Sequence, residues 1–250
     1  MKTSLQKGLS LIEILLVLGI FGILVFIVLA AAGSSVREKA ERNKFLQFSR
    51  SIHNWLVTEG VGVWSFDEGS GTTAGDLSTN NQSLSVGSNA WAEGVLKTGL
   101  VFDGSLTSLN IPQPLFATTP EKLAFSAWVK PAASSGDQVI FYNATNGEFL
   151  IGINTNKEPY ASYRLSNGSW QTLNSDQPLT VGTWGHIAFR WDSIANETSL
   201  YVNTIQRASG QPGIGAQLYN GSGDATIGSQ NGTNFFNGTL DEVEVYRDAF

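Results

Sequence analysis

The apolar positions fall into two regimes along the chain. From Ile14 to Ala32 there are 19 residues without one polar side chain. At about 1.5 Å per residue a helix of that length spans roughly 28 Å, one bilayer core. The pattern then changes but stays helical. From Val36 to Leu56 charged residues alternate with an apolar stripe, Phe45, Phe48, Ile52 and Leu56, at three- and four-residue steps. No proline precedes Pro112, so the spacing predicts one helix from Leu9 to Leu56, about 70 Å long. Glu59-Gly60-Val61-Gly62 is its stop signal.

Beyond Gly60 the period falls to two. Val61–Phe66, Gly99–Phe102, Phe125–Lys130, Val139–Tyr142, Phe149–Ile153, Tyr160–Leu165, His186–Trp191, Ser199–Val202, Ala225–Ile227 and Thr239–Tyr246 read as strands. Turn formers such as Asn146-Gly147, Asn167-Gly168 and Asn220–Gly223 separate them. Ile187, Phe189 and Trp191 share one face, and Val243 and Val245 oppose Glu242 and Glu244. Many short strands without a second long helix predict a mainly β sandwich or barrel.

Composition sharpens this picture at three points. The 250 residues include no cysteine, which excludes a disulfide framework, thiolate metal sites and a cysteine nucleophile. Two histidines, His53 and His186, do not make a His-rich metal site, and His186 reads as a structural strand residue. The net charge of −6 divides unevenly: residues 1–50 carry +4 and the remainder −10. A basic apolar end joined to an acidic domain suggests two modules in two environments, and the overall balance argues against nucleic acid as a partner.

The run Lys2-Thr-Ser-Leu-Gln-Lys7-Gly8-Leu9-Ser10-Leu11-Ile12-Glu13 resembles the class III signal of type IV pilins and pseudopilins. The resemblance implies a leader over 1–8, a pilin-type helix over 9–58 with its transmembrane part at 14–32, and a head outside the cytoplasm. It implies cleavage by a prepilin peptidase between Gly8 and Leu9 and N-methylation of Leu9. Glu13, fifth in the mature chain, would neutralise the amino terminus of a neighbouring subunit. A carboxylate at a bilayer edge costs a few kcal/mol unless paired, which is the physical reason for such a role. Lys2 and Lys7 hold the leader on the cytoplasmic side.

A second resemblance covers 61–250. Trp64-Ser-Phe-Asp-Glu-Gly-Ser-Gly, Gly99-Leu-Val-Phe-Asp-Gly104, Phe125-Ser-Ala-Trp-Val-Lys-Pro131, Gly182-Thr-Trp-Gly-His-Ile-Ala188, Leu200-Tyr-Val-Asn203 and Phe236-Asn-Gly-Thr-Leu-Asp-Glu-Val-Glu-Val-Tyr246 stand in order. That series is similar to laminin-G-like, concanavalin A-like jelly-roll domains. The implied head is a sandwich in which Trp64, Trp128, Trp184 and Phe236 belong to the framework. Calcium is the cofactor such relatives suggest, with Asp67, Asp76, Asp103 and Asp241 as candidate ligands at loop ends. The alternative for those four is turn and cap chemistry. Aromatic residues beside Asn/Gly turns, namely Trp170, Tyr219 and Phe235, are the candidates for stacking on a glycan.

Catalysis has little to stand on. The Glu-x-Asp-x-x-Glu pattern of jelly-roll glucanases is absent, Asp241-Glu-Val-Glu244 has the wrong spacing for a pair of carboxylates across a cleft, and no Ser/His/Asp arrangement is legible. The sequence therefore points to a non-enzymatic filament subunit, pilin-like and of the minor type, displaying an adhesion or glycan-binding head. It would start in the bacterial inner membrane and end in a surface filament or pseudopilus. Two other readings stay open: a pseudopilin of a type II secretion system, and a membrane-anchored carbohydrate-binding protein that never polymerises.

Overall fold

A computed structural model describes residues 57–87 and 90–250, together with positions 43, 44, 46, 47, 50 and 51, which are helical. Gly8, Leu9, Glu13 and the apolar span 14–32 lie outside the described residues, as does most of the helix expected over 9–58. Among the described residues no helix is long and apolar enough to cross a membrane. Contacts divide the chain into Met1–Gln47 and Phe48–Phe250, and all the β structure belongs to the second unit.

A short 3-10 turn, Val57–Glu59, leads into β1 (Gly60–Trp64), β2 (Thr73–Ala74), β3 (Leu84–Ser85), β4 (Trp91–Glu93), β5 (Thr98–Asp103) and β6 (Leu109–Ile111). There follow β7 (Lys122–Pro131), β8 (Gln138–Asn143), β9 (Phe149–Ile153), β10 (Pro159–Arg164), β11 (Trp170–Asn174) and β12 (Gly185–Asp192). The last four are β13 (Glu197–Val202), β14 (Ile205–Gly210), β15 (Ala225–Ile227) and β16 (Asn237–Tyr246). One sheet runs β14-β13-β12-β7-β16-β5-β4, with β1 also pairing β16; the facing sheet runs β11-β10-β9-β8-β15-β6. The strand pairs are antiparallel.

The core lies between the two sheets. Leu123, Phe125, Ala127 and Val129 of β7 and Ile187, Phe189 and Trp191 of β12 point inward, as the period-two alternation requires. Phe125 meets Phe141 of the opposite sheet at 5.2 Å, and Tyr163 meets Trp191 at 5.1 Å. Each fully buried large side chain contributes roughly 1.5–3 kcal/mol of transfer free energy, so a core of this size holds without disulfides.

Three local expectations change. Strand β1 stops at Trp64, because Phe66 turns the backbone to φ 53° while its ring stays fully buried. Trp128 is buried but faces away from the core, edge-on to His186 at 5.1 Å, and Trp184 is half-buried with the Lys130 ammonium 5.9 Å from its ring. Trp128 is thus buried outside the cluster that holds Trp64 and Phe236, and Trp184 is not fully buried. In β16 a bulge between Asp241 and Glu244 puts Glu242 at φ 47°. This keeps Val243 and Val245 in the core and leaves Glu244 buried on the other face.

Candidate functional site

Residues directly opposite one another in an antiparallel pair share a face. Arg164 stands opposite Trp170, Ser162 opposite Thr172 and Leu150, and Tyr142 opposite Leu150. Tyr163 and Ala161 of the same strand are core residues, so this set lies on the outer face of the six-stranded sheet. A small apolar cluster of Val139, Tyr142, Ala144 and Leu150, flanked by Tyr160, underlies it. Tyr160 lies over Gly152, where a Cβ would stand 2.6 Å from the ring, so glycine is required there.

Arg164 is the centre of the face. Its Nη1 donates to Glu148 Oε2 at 3.2 Å and its Nε to the Gly168 carbonyl at 3.2 Å. The guanidinium carbon lies 4.0 Å from the centre of the Tyr219 ring. The β10–β11 turn supports this: Gly168, at φ 87°, donates its N–H to Leu165, and Asn167 Oδ1 accepts from the Ser169 N–H and hydroxyl. Tyr219 is fixed by its own backbone, which donates to the Arg164 carbonyl at 2.7 Å and accepts from Gly147 and Glu148. Buried Glu148 accepts from the Tyr142 hydroxyl at 2.7 Å through its other oxygen. Burial, and then the Glu148 carboxylate, push the Tyr142 phenol far up, so it stays protonated and donating.

Beside this clamp opens a recess of about 290 Å3, lined by Glu148, Arg164, Tyr219 and Asn220 together with Gly221 and Ser222. Arg164 carries five N–H groups, and two of them are taken by Glu148 and Gly168. Among the described residues Nη2 donates no hydrogen bond. Trp170, 41% exposed, stands opposite Arg164 on the same face of the sheet. The arrangement can donate hydrogen bonds and stack on a flat apolar surface.

Of the three candidate stacking residues, Trp170 and Tyr219 flank Arg164. Phe235 does not: it is half-buried and bridges Val139, in a loop whose Asn234 carbonyl accepts from the Val139 N–H. Arg164, Glu148 and Tyr142 had no motif to mark them. The signal for Arg164 is the alternation in Tyr160-Ala-Ser-Tyr-Arg164, which puts it outward immediately before a turn.

The four aspartates separate. Buried Asp76 accepts from the N–H groups of Val63, Ser78 and Gln82 and from the Ser78 hydroxyl. Asp103 accepts from the N–H groups of Ser105, Leu106 and Thr107 and the Thr107 hydroxyl, bonds that hold its carboxyl well below the usual range. Both make the turn contacts that are the alternative reading for these residues. Asp67 lies within electrostatic reach of Asp241 and, after burial, helps to raise its carboxyl. Asp241 accepts from Val95, Leu96 and Glu242 N–H groups, yet burial pushes its carboxyl up to about 7. Asp67 Oδ2 pairs with Lys97 Nζ at 2.7 Å, while its buried Oδ1 accepts no hydrogen bond. An orphaned carboxylate oxygen suits a hard cation, although among the described residues no group of three or more His, Cys, Asp or Glu could hold a metal ion. His186 is fully buried and structural, with Nε2 2.8 Å from Ser126 Oγ; burial lowers its pKa to about 3.

The fold defines a jelly-roll sandwich of the concanavalin A-like type. A family model for laminin-G-type domains, described as the concanavalin A-like lectin/glucanases superfamily, matches residues 103–250, and the chain belongs to that superfamily. Pentraxin-related protein PTX3 of Bos taurus is 30% identical over 121 residues, which is 45% of this chain and 30% of that protein. Domain 4 of AbnA, an extracellular arabinanase of Geobacillus stearothermophilus solved with arabinotriose, superposes with a TM-score of 0.57 at 20% identity, covering 77% of this chain and 94% of that domain. The ligand-binding domain of botulinum neurotoxin serotype D, solved with N-acetylneuraminic acid, gives a TM-score of 0.60 at 13% identity, over 79% of this chain and 49% of that one. The chain thus spans less than a third of the pentraxin relative and about half of the neurotoxin chain.

Proposed function

We propose that this protein is a type IV pilin-like filament subunit whose concanavalin A-like head binds a glycan on the outer face of its six-stranded sheet. The observation that carries the head's role is the Arg164 guanidinium, fixed between Glu148 and Tyr219 with Nη2 uncommitted, opposite the exposed Trp170. Sugar rings offer a flat C–H face for aromatic side chains and a rim of hydroxyls for such donors. A structure of the same fold solved with arabinotriose supports the class of ligand.

The assembly role rests on Gly8, Leu9 and Glu13 in their order. A prepilin peptidase would cut after Gly8, and the helix would pack with those of other subunits. The head would stand outside the cytoplasm and catalyse nothing. Asp67 and Asp241 would hold a calcium ion, which when bound supplies positive charge at that corner in place of the Lys97 ammonium. Calorimetric titration of the intact, detergent-solubilised protein with neutral and acidic oligosaccharides tests the head. Binding that is lost in Tyr219→Ala and Trp170→Ala supports the site, and no binding to any sugar contradicts it. Glu13→Ala is expected to leave the protein in the membrane but out of filaments.

A further inference from the structure

The charges in the recess set which glycans fit. Among the described residues Arg164 is the one cation lining it, and Glu148 already neutralises it. Glu148 is itself buried and held by two donors, Tyr142 Oη and Arg164 Nη1, so its charge is fixed in place. The remaining liners are uncharged: the Asn220 amide, the Ser222 hydroxyl, the Tyr219 ring and the Gly221 and Ala144 backbone. The chain beyond residue 50 carries a net charge of −10, which opposes any approaching polyanion.

From this we infer that the recess selects uncharged sugars and that Glu148 is the residue that rejects acidic ones. The inference rests on the glycan-binding reading of the same face. A neutral sugar would take hydrogen bonds from Arg164 Nη2 to a ring hydroxyl and stack on Trp170, and it adds no charge. A uronate carboxylate would seek the same Nη2, since a guanidinium edge matches a carboxylate in shape. It would then sit beside Glu148 at a partly desolvated position, where like charges repel strongly. Glu148 is a specificity-determining residue on this account. It holds the guanidinium in place and sets the charge that a ligand must not duplicate.

The test compares binding of xylohexaose, cellohexaose and arabinohexaose with that of pentagalacturonate, for the wild type, Glu148→Gln and Tyr142→Phe. The glutamine variant keeps an acceptor for Arg164 and removes only the charge. The expected wild-type result is binding to at least one neutral sugar and at least tenfold weaker binding of pentagalacturonate. In Glu148→Gln that ratio falls at least tenfold, with a salt-dependent gain for the acidic sugar. In Tyr142→Phe, which retains the charge, the ratio stays. A wild type that prefers pentagalacturonate, or a glutamine variant with an unchanged ratio and an unchanged melting curve, overturns the inference and leaves the glycan site standing. If Glu148→Gln does not fold, Tyr142→Phe and the wild-type ratio at rising salt decide: repulsion predicts that salt narrows the gap. Absence of binding to every sugar overturns the glycan reading instead.

Discussion

Arg164 and Trp170 stand directly opposite each other across the β10–β11 pair, and the Tyr219 ring lies 4.0 Å from the Arg164 guanidinium. A neighbour from the next strand of the hairpin and a tyrosine from a distant loop thereby join the arginine on one surface. Arginine is needed at this place because its planar head can stack on Tyr219 while it donates along separate edges, which an ammonium cannot do. Arg164→Lys is expected to weaken glycan binding at least tenfold, about 1.4 kcal/mol. The cost to stability stays under about 1 kcal/mol, because the pair with Glu148 is partly exposed. Calorimetry and thermal melts of the same preparation separate the two quantities.

Trp170 and Trp191 carry the same side chain in opposite settings. Trp170 is 41% exposed and Trp191 is fully buried in the core. Trp170→Ala is expected to change stability by no more than about 0.5 kcal/mol while abolishing measurable binding. Trp191→Ala is expected to cost about 3–5 kcal/mol and to lose binding only through unfolding. Denaturant titrations check both.

Two buried groups on the eight-stranded sheet oppose each other in their pH dependence. His186 has a folded pKa of about 3 against 6.5, so the unfolded chain binds the extra proton between those values, and this group makes stability rise with pH. Asp241 has a folded pKa of about 7 against 3.8, so the folded chain binds the extra proton, and this group makes stability fall with pH. Each contributes at most about 1.4 kcal/mol per pH unit. In calcium-free buffer between pH 4 and 6.5, where both ranges overlap, the two slopes are expected to offset. His186→Gln should then show stability decreasing with pH, and Asp241→Asn stability increasing with it. Melting temperatures at half-unit steps read the signs directly.

Calcium is expected to raise the melting temperature of the wild type, and chelator to reverse it. Asp67→Asn should remove the shift. Lys97→Gln should enlarge it, because the ammonium 2.7 Å from Asp67 Oδ2 no longer competes for that oxygen. A shift that survives in Asp67→Asn would place the ion elsewhere.

Much of the sandwich was legible because its central strands carry the period-two pattern that a one-sided core imposes. Phe149–Ile153 and Ala225–Ile227 match their strands residue for residue. The strands without such a signal are short or lie at sheet edges. In β11 only Leu173 is buried, and β14 has no buried residue, so their sequences alternate with nothing to hide. The glycan face was half legible. Trp170 and Tyr219 announce themselves as aromatic residues next to Asn-Gly turns. Arg164 and Glu148 do not, since a charged residue on a strand looks the same whether it meets solvent or a partner from a distant loop. The aspartates stay ambiguous in sequence for a related reason: the same short carboxylate serves a turn N–H or a cation, and the structure shows turn donors around Asp76 and Asp103.

The central claim, that a pilin-type leader delivers this head to a filament, is tested most directly by the intact mass of the protein purified from its native membrane. The account predicts a mature chain beginning at N-methylated Leu9. A chain that retains Met1, or one cut after Ala32, contradicts it.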